Sequence, residues 1–289
     1  MPLSLVPTPL GNLGDMTLRS IAALKTADLI VAEDTRVARK LLNALGIGPK
    51  ELWSYREQNA ATVTAGILDR AQGANVVLVS DAGMPGISDP GSDLVAAARA
   101  AGIAVDVLPG PSAALGVAVL SGFSLRRFAF EGFLPRTRGA RQHALRDALR
   151  NGITTLWFES PARIVATLED LAAVAADAQV FLVREYTKRF EQQLVGTPTE
   201  IVARLEQPVR GEIAFAVAPY ALPETSSVPG DPDAAIDAFL DQGRSVRDIA
   251  KALADSGLGE RRDLYARVSR RKHRAGETRP SSDEENASE

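Results

Sequence analysis

The 289-residue chain contains no cysteine and only two histidines, His143 and His273. Without cysteine it can form no disulfide, no thiolate metal site and no cysteine nucleophile. Two histidines alone are a poor basis for a metal site, so we expect no bound metal. No apolar run approaches the roughly 20 residues that cross a bilayer, and the first 15 residues lack the basic and apolar regions of a signal peptide. We therefore expect a soluble, cytoplasmic protein without a membrane partner.

The composition is that of an ordinary globular protein, with 45% hydrophobic and 24% charged residues. At about 100–200 residues per domain, this length predicts two domains. The net charge of −3 is unevenly distributed. Residues 126–150 carry seven arginines against Glu131 and Asp147, and residues 261–274 carry seven basic side chains against Asp263. Two basic blocks on an acidic chain indicate local attraction for a polyanion, although each is also compatible with a solvated helix face.

In the first half of the chain, short apolar runs alternate with longer amphipathic stretches. We predict strands at residues 3–7, 29–32, 51–55, 75–80 and 104–108, and helices at 17–27, 36–45, 61–72 and 91–101. The run Val-Val-Leu-Val-Ser that ends at Ser80 is apolar on both faces, which is typical of a parallel strand covered by helices. This pattern predicts an α/β domain with a parallel sheet over residues 1–113.

The second half has a different pattern. We predict strands at residues 127–131, 154–159, 180–185, 190–195 and 212–218, and helices at 139–151, 163–175 and 199–206. The gap at 186–190 is too short for a crossover helix, so the two strands beside it should form an antiparallel hairpin. We therefore predict a second α/β domain with a mixed sheet over residues 114–222.

The C-terminal part reads as a linker, a helical unit and a tail. Residues 223–233 are rich in Pro, Ser, Gly and Asp, as linkers are. Residues 234–274 form a helical unit, in which Ser245 caps one helix, Gly257 ends it and a basic helix follows at 261–271. Helix, glycine turn and helix predict a helix-turn-helix-like module, although simple pairing of two helices is the commoner meaning. The acidic residues 275–289 are expected to be disordered.

Three loops rich in glycine and proline directly follow predicted strands, at residues 6–13, 80–91 and 108–113. In an open α/β sheet, ligands bind beyond the carboxyl ends of the strands, where backbone amides face the ligand. The chain has neither the G-x-G-x-x-G pattern of dinucleotide sites nor the P-loop pattern of nucleotide triphosphatases. The residues alone therefore predict a small molecule held largely by backbone at a sheet edge.

Several segments resemble one family closely. VPTPLGNLGDMTLRS, LIVAEDTRVARKLL, LVSDAGMPGISDPG, LPGPSAAL, FEGFLPR, WFESPARI and REYTK occur in this order. Together they resemble the ribosomal RNA small subunit methyltransferase I family, within the tetrapyrrole (corrin/porphyrin) methylase superfamily. The resemblance covers residues 3–218 strongly. The one departure is Arg-Glu-Tyr-Thr-Lys at 184–188, where the family pattern has Glu-Leu-Thr-Lys.

The resemblance implies two α/β domains with S-adenosylmethionine (SAM) between them, usually in a homodimer. It implies SAM-dependent 2′-O-methylation of a cytidine in the 16S RNA of the small ribosomal subunit. A tetrapyrrole methyltransferase of the same fold is one alternative, but such relatives carry a GPG-type first loop where this chain has PTPLGN. A non-catalytic RNA-binding module is another, which the intact glycines and prolines of all three loops disfavour.

Carried over position by position, the resemblance also implies site residues. The cofactor-binding positions are Pro7, Thr8, Pro9, Gly11, Ser80, Asp81, Ala82, Gly83, Pro85, Ile87, Pro109, Gly110, Pro111, Ser112 and Ala113, with Ala214 and Phe215 beside the adenine.

A 2′-hydroxyl needs a base or a cation that stabilises the developing alkoxide. The carboxylate candidates are Glu33, Asp34, Asp81, Glu159 and Glu185. We select Lys188, Glu185 and Glu159 as catalytic candidates, with Lys188 contacting alkoxide or phosphate. An equally good interpretation is that two ion pairs fix loops here, Glu159 with Arg163 and Asp34 with Arg36.

The RNA-binding candidates are Asp34, Arg36, Arg136, Arg138, Arg141 and Arg163. Arginines of this kind grip phosphates, and single-stranded RNA also stacks its bases on aromatic rings. Trp53, Tyr55, Trp157 and Phe133 are candidate platforms, but tryptophan on an apolar strand is more often part of the core.

Overall fold

The computed structural model describes residues 3–221, 232–255 and 258–277, with side chains described up to residue 273. The chain forms two compact units, Met1–Ala221 and Leu222–Glu289. Most of the predicted linker, the helix end at Gly257 and residues 278–289 of the predicted tail lie outside the described residues. Residues 275–277 of that tail, expected to be disordered, are instead the end of the last helix. Within the described part, no helix is both long enough and apolar enough to span a membrane.

The first sheet of unit 1 is entirely parallel, as predicted, in the order β3-β2-β4-β1-β5. Its strands are β1 (Leu3–Leu5), β2 (Leu29–Ala32), β3 (Glu51–Ser54), β4 (Val76–Val79) and β5 (Val105–Val107). The helices between them are α1 (Leu18–Thr26), α2 (Thr35–Ala44), α3 (Ala60–Gly73) and α4 (Ser92–Ala100).

Both faces of this sheet are buried because β2 and β4, near its centre, are apolar at every position. Ile30 and Val77 pack with residues of α1 and α2 on one face, whereas Val31 and Leu78 pack with residues of α3 and α4 on the other. Burial on both sides is what distinguishes a parallel, helix-covered sheet from a sheet with one wet face.

The second sheet is mixed, as predicted, in the order β6-β7-β10-β8-β9. Its strands are β6 (Phe128–Phe133), β7 (Thr154–Glu159), β8 (Val180–Arg184), β9 (Gln192–Gly196) and β10 (Ile213–Val217). Its helices are α5 (Ala113–Leu120), α6 (Arg138–Leu149), α7 (Ile164–Val174) and α8 (Pro198–Arg204). Only β6 and β7 pair in parallel, and the expected hairpin is the antiparallel pair β8–β9.

Helix α5 was not predicted from the sequence. Its eight residues, AALGVAVL, are apolar or glycine throughout, so they carry no polar stripe that would reveal a helical period. Val117 and Ala118 pack against Leu156 and Phe181 of the second sheet. The helix therefore belongs to the layer that covers this sheet, directly after the loop that leaves β5.

Unit 2 consists, in its described residues, of α9 (Pro232–Asp241), α10 (Val246–Asp255) and α11 (Arg261–Glu277). Ser245 caps α10 as predicted, since its hydroxyl accepts a hydrogen bond from the backbone N–H of Asp248 at 3.2 Å. Ile236, Ile249, Leu253 and Val268 lie in the core that the three helices share. Unit 2 thus has a hydrophobic core of its own.

A buried ion pair fastens α6 to α7. Asp170 accepts hydrogen bonds from Arg141 Nε at 2.7 Å, Gln142 Nε2 at 2.7 Å and Arg138 Nε at 3.1 Å. Burial by itself raises the pKa of Asp170, but the hydrogen bonds from Gln142 and Arg141 outweigh it and hold that pKa below its usual value. The Arg141 side chain is only 7% exposed. It is therefore a structural cation whose charge is matched inside the protein.

We predict that Asp170→Ala destabilises unit 1 by about 3–5 kcal/mol, because it leaves Arg141 as an unpaired buried charge. The matched control is Asp147→Ala on α6, which removes contacts with Arg150 and His143. All three side chains are about half exposed, so this change should cost no more than about 1 kcal/mol. Urea unfolding followed by tryptophan fluorescence reports on unit 1, which contains both tryptophans, Trp53 and Trp157. Equal free energies of unfolding for the two variants would contradict this assignment.

Candidate functional site

Three loops meet at one edge of the first sheet, because β4, β1 and β5 are adjacent and parallel. We call residues 7–12 the first loop, 80–91 the second and 108–112 the third. Thr8 and Gly83 exchange two backbone hydrogen bonds, of 2.9 and 3.0 Å, which join the first loop to the second. Gly110 lies directly on Pro7, where an added Cβ would come within 2.9 Å of the proline ring. The three loops thus form one continuous wall.

Behind this wall, two buried hydroxyls hold the second loop in place. Thr8 Oγ1 donates to the carbonyl of Ser80 at 3.1 Å, and Ser80 Oγ donates to the carbonyl of Gly83 at 3.1 Å. Gly83 has a φ of +81°, a conformation that side chains other than glycine rarely adopt. The path of the second loop is therefore determined by these three residues.

A cavity of about 710 Å³ lies between this wall and the second sheet. The first sheet and its loops contribute Leu10, Glu33, Asp81, Met84, Ile87 and Asp89, among others. The second sheet and its loops contribute Phe133, Phe158, Val183, Glu185, Lys188 and Ala214, among others. Apolar walls with a few charged groups are typical of a small-molecule site, and most of the charged groups here are carboxylates.

The expected cofactor positions divide into two groups. Those that line the cavity are Asp81, Ala82, Gly83, Ile87, Ser112, Ala113 and Ala214. Those that do not line it are Pro7, Thr8, Pro9, Gly11, Ser80, Pro85, Pro109, Gly110, Pro111 and Phe215. Thr8, Ser80 and Gly110 of the second group have positions that support the wall.

Phe215 lies on the wrong face for its expected role. Alternate residues of β10 point to opposite sides of the sheet, so Ala214 faces the cavity and Phe215 faces away from it. The Phe215 ring stacks on Trp157 with centroids 6.4 Å apart and an angle of 15° between the planes. Phe215 is fully buried and belongs to the core.

Gly11 provides room for a lysine. A Cβ at Gly11 would come within 2.2 Å of Lys188 Cγ, so the lysine stem lies directly over the first loop. Lys188 Nζ donates to Glu185 Oε1 at 2.9 Å and to Glu212 Oε2 at 3.0 Å. Partial burial alone lowers the pKa of Lys188, but these two carboxylates outweigh it and raise that pKa above its usual value. Lys188 is therefore a positioned cation.

Glu185 sits in a strained turn that aims its carboxylate at this lysine. Glu185 and Thr187 have φ values of +54° and +65°. Glu185 Oε1 accepts the backbone N–H of Glu212 at 2.9 Å, and a Cβ on Gly211 would collide with the Glu185 side chain. These contacts, first the Glu212 amide and then Lys188, lower the pKa of Glu185. Glu185 is consequently a weak base that holds Lys188 in place.

Glu159 lines the cavity but its oxygens already have partners. Oε1 accepts the Ser160 N–H at 2.7 Å and contacts Arg163 at 2.5 Å, while Oε2 accepts from Thr167 at 2.8 Å. Arg163 also donates to the carbonyl of Leu134 at 3.0 Å. The interpretation of Glu159 and Arg163 as a loop-fixing ion pair fits this geometry better than catalysis or RNA contact.

Asp34 and Arg36 form the second ion pair of this kind. Asp34 caps α2 through its hydrogen bond to the Arg36 N–H at 2.8 Å, and the Arg36 guanidinium holds both carboxylate oxygens. The hydrogen bonds from Arg36 lower the pKa of Asp34 far below its usual value. The Asp34 N–H in turn donates to Asp81 Oδ1 at 3.0 Å, so the pair orients a carboxylate of the cavity.

The cavity concentrates negative charge at one end. Burial raises the pKa of Asp89 to about 6, with the nearby charge of Glu33 as the next cause. Burial and the neighbouring Asp81 likewise raise the pKa of Glu33, and burial raises that of Asp81. Carboxylates that repel one another in a partly dry pocket favour a cationic ligand.

The arginines expected to bind RNA differ in availability. The expectation that Arg141 binds RNA is wrong, because its buried guanidinium is hydrogen-bonded to Asp170. Arg138 is 78% exposed although its Nε contacts Asp170. Arg136 is exposed. In the described part of unit 1, its side chain makes no hydrogen bond, and only its backbone carbonyl accepts one, from the Arg141 side chain.

The four aromatic candidates separate in the same way. Tyr55 and Trp157 are buried, and Trp53 packs against the core of the first sheet. Phe133 is 55% exposed and lines the cavity, where its ring meets Phe158 edge to face at 5.7 Å. Phe133 is thus the one of the four that stands at the cavity rim.

The sequence interpretation missed Asp89, Tyr186 and Glu212. Asp89 is in the second loop, so the sequence motif could have predicted that it lies near the site. The motif could not have predicted that the Asp89 carboxyl is buried. Tyr186 packs on Gly116 of α5, a helix that was itself not predicted. Among the described residues, no group of three His, Cys, Asp or Glu side chains is placed to hold a metal ion.

A family model for the tetrapyrrole (corrin/porphyrin) methylases matches residues 2–202. Ribosomal RNA small subunit methyltransferase I of Streptococcus pyogenes serotype M1 is 40% identical over 267 residues, which cover 91% of this chain and 93% of that protein. The protein of the same name from Halalkalibacterium halodurans is 44% identical over 218 residues, covering 74% and 75%.

Two solved structures share the fold at low sequence identity. Diphthine synthase aligns with a TM-score of 0.60 at 17% identity, covering 75% of this chain and 90% of that one. Uroporphyrin-III C-methyl transferase from Thermus thermophilus, complexed with S-adenyl homocysteine, aligns with a TM-score of 0.54 at 20% identity, covering 75% and 97%. The two helix-covered sheets and the cavity between them agree with this fold. The family model and the curated relatives show that the chain belongs to the tetrapyrrole methylase family and, within it, to the ribosomal RNA small subunit methyltransferase I proteins.

Proposed function

We propose that the protein transfers a methyl group from SAM to the ribose 2′-hydroxyl of a cytidine in the 16S RNA of the small ribosomal subunit. The observation that carries this proposal is the cavity between the two sheets, which combines a cluster of carboxylates with an exposed aromatic ring at its rim. Relatives named for ribosomal RNA methylation supply the class of substrate.

The residues of the cavity fit SAM in size and charge. A volume of about 710 Å³ falls within the range of roughly 300–1,000 Å³ for small-molecule sites. Asp81, Asp89 and Glu33 favour the positive charges of SAM, while Ser112 and Ala113 present the start of α5 to a carboxylate. The solved relative complexed with S-adenyl homocysteine supports this choice of cofactor.

When bound, SAM supplies a methyl group attached to a sulfonium, and the thioether that departs from this methyl group is a good leaving group. The protein must therefore chiefly align the accepting hydroxyl and exclude competing water. Lys188, held by Glu185 and Glu212, is the cation of the cavity that we assign to stabilising the ribose oxygen as its negative charge develops and its proton is released to solvent. Glu185 acts through Lys188, and Glu159 acts by fixing the loop that carries Ser160 and Arg163.

The test of this function is a comparison of 16S RNA from cells with and without the protein, by mass mapping of ribose methylation. We expect one 2′-O-methylcytidine to disappear. Methyl transfer from tritiated SAM into isolated small subunits, against a tetrapyrrole precursor in parallel, separates the two substrate classes. Label in the tetrapyrrole but not in RNA would overturn the proposal.

We predict that Gly83→Ala lowers SAM affinity at least about tenfold. A side chain at its φ of +81° is strained by about 1–2 kcal/mol, and the new Cβ would come within 3.0 Å of Leu10. Gly102→Ala is the matched control, since φ there is +71° and a Cβ would meet nothing within 4 Å. Titration calorimetry measures both variants. Equal SAM affinity would show that the second loop is not part of the cofactor site.

We predict that SAM affinity rises with pH through about 6, because Asp89 becomes an anion there and a cation prefers the ionised form. If bound SAM lowers the pKa of Asp89 by one unit, SAM affinity rises about tenfold between the protonated and the ionised form of this carboxyl. Asp89→Asn should flatten the profile between pH 5 and 7. The control Asp93→Asn changes an exposed carboxyl on α4 and should not. Identical profiles for both variants would remove Asp89 from the site.

We predict that Phe133→Leu lowers kcat/KM for small subunits roughly tenfold while SAM affinity stays unchanged, because a base stacked on an aromatic ring gains about 1–3 kcal/mol. Phe128→Leu is the control, as Phe128 is 40% exposed on the same strand but does not line the cavity. An equal loss of SAM affinity would place the ring in the cofactor site and contradict its role in stacking RNA.

We further propose that the protein is a cytoplasmic homodimer. Helix α5 exposes Leu115 and Val119, four residues apart, at 57% and 71% exposure. An apolar stripe of this kind on a helix favours contact with a second protein surface. Sedimentation equilibrium would report the mass directly, and a monomer at micromolar concentration would contradict this part of the proposal.

A further inference from the structure

Helix α11 of unit 2 has three distinct faces. Leu264 and Val268 point inward and are buried in the core with α9 and α10. Arg267 and Arg271 form one flank and pair with Asp233 and Asp237 of α9, at 2.7 Å, 3.0 Å and 2.5 Å. The hydrogen bonds from these arginines lower the pKa of both aspartates. The charges of this flank are therefore matched within unit 2.

The remaining face of α11 points to solvent and is basic. Arg261, Arg262, Arg270 and Lys272 are exposed, and none makes a salt bridge with a carboxylate among the described residues. At 100° per residue, Arg262 and Arg270 lie on the side opposite Leu264 and Val268, and we call this side the outward face. Arg261 and Lys272 lie about 60° and 80° from Leu264, on the flank that also carries Tyr265. Asp263 is the only acidic residue of α11 up to residue 273. Among the described residues, the outward face thus carries a net positive charge that no salt bridge neutralises.

The spacing of these cations fits a phosphate backbone. Arg262 and Arg270 are eight residues apart, which is about 12 Å along a helix. A nucleic acid duplex presents one negative charge for roughly each 1.7 Å of its axis, so this stretch of helix faces several phosphates at once. Tyr265 is 50% exposed between the cations, and Ser269 lies one turn further.

The same face is poorly suited to other polyanionic partners. Proteins that hold single-stranded nucleic acid use several aromatic platforms, and Tyr265 is the only aromatic residue of α11. A membrane-binding helix needs a broad apolar face, whereas the apolar positions of α11 are used in the core. Hydroxyls among cations match an RNA duplex, whose shallow minor groove displays 2′-hydroxyls beside the phosphates.

We propose that the outward face of α11, on which Arg262 and Arg270 are the cations, with Tyr265 and Ser269 beside them, binds the phosphate backbone of double-stranded RNA. Unit 2 is then a second RNA-binding surface, distinct from the cavity of unit 1. The choice of RNA over DNA rests on the proposed function. The charge and exposure of the face do not depend on it.

The test measures binding of the full chain to a 20-base-pair RNA duplex by fluorescence anisotropy over a series of salt concentrations. The variant Arg262→Ser with Arg270→Ser removes two outward charges of α11. The control Arg247→Ser with Lys251→Ser removes two exposed charges from α10, so both variants have the same net charge. Helical circular dichroism and SAM affinity are measured for both, and neither should change.

We expect the α11 variant to bind the RNA duplex roughly tenfold more weakly at 0.1 M salt, with the salt slope reduced by about 1 for each lost phosphate contact. An unchanged slope, or an equal loss in the α10 variant, would overturn the proposal. Tighter binding to a DNA duplex of the same sequence would also overturn it. Because this readout needs no methyl transfer, duplex binding and the methylation of 16S RNA can fail independently.

Discussion

The paired hydrogen bonds between the backbones of Thr8 and Gly83 are the constraint on which the site depends. They exist because β1 and β4 are neighbouring parallel strands whose carboxyl ends lie at the same edge. Once the first two loops are joined, Leu10 and Asp81 face the cavity and Gly11 leaves room for Lys188 to cross from the second sheet. The second sheet can therefore deliver its cation only if the first sheet holds these two loops together.

The distribution of arginine partners decides which positive charges are available to RNA. Arg141 is bonded to the buried Asp170, Arg163 to Glu159, and Arg267 with Arg271 to the aspartates of α9. Some arginines of a basic block in the sequence therefore have structural roles. The number of arginines in the block is larger than the number that can bind phosphate. In the described residues, the exposed members are those such as Arg136 on unit 1 and the outward face of α11 on unit 2.

Sequence reasoning predicted the two sheets because their patterns are local, whereas side-chain placement within them is not. Phe215 was expected beside the adenine but faces away from the cavity, and the sequence could not show this because β10 is buried on both faces and has no alternation that distinguishes one side from the other. Helix α5 was missed for the related reason that an all-apolar segment has no visible period. The raised pKa of Asp89 arises from burial and from Glu33, which is 56 positions away in the chain, and only the fold brings the two together.

The acidic cavity and the RNA substrate impose opposite electrostatic demands. Glu33, Asp81 and Asp89 attract a cationic cofactor but repel phosphate, so the RNA backbone must stay outside while one ribose hydroxyl reaches in. In the proposed function a neutral ring at the rim meets this need, because Phe133 would hold a base without adding charge to either side. Lys188 is the cation inside, and its two carboxylate partners cancel its long-range attraction for phosphate while leaving it able to act at short range on a developing alkoxide. In the proposed function, the same acidity that selects the cofactor thus disfavours phosphate in the cavity and admits the uncharged ribose.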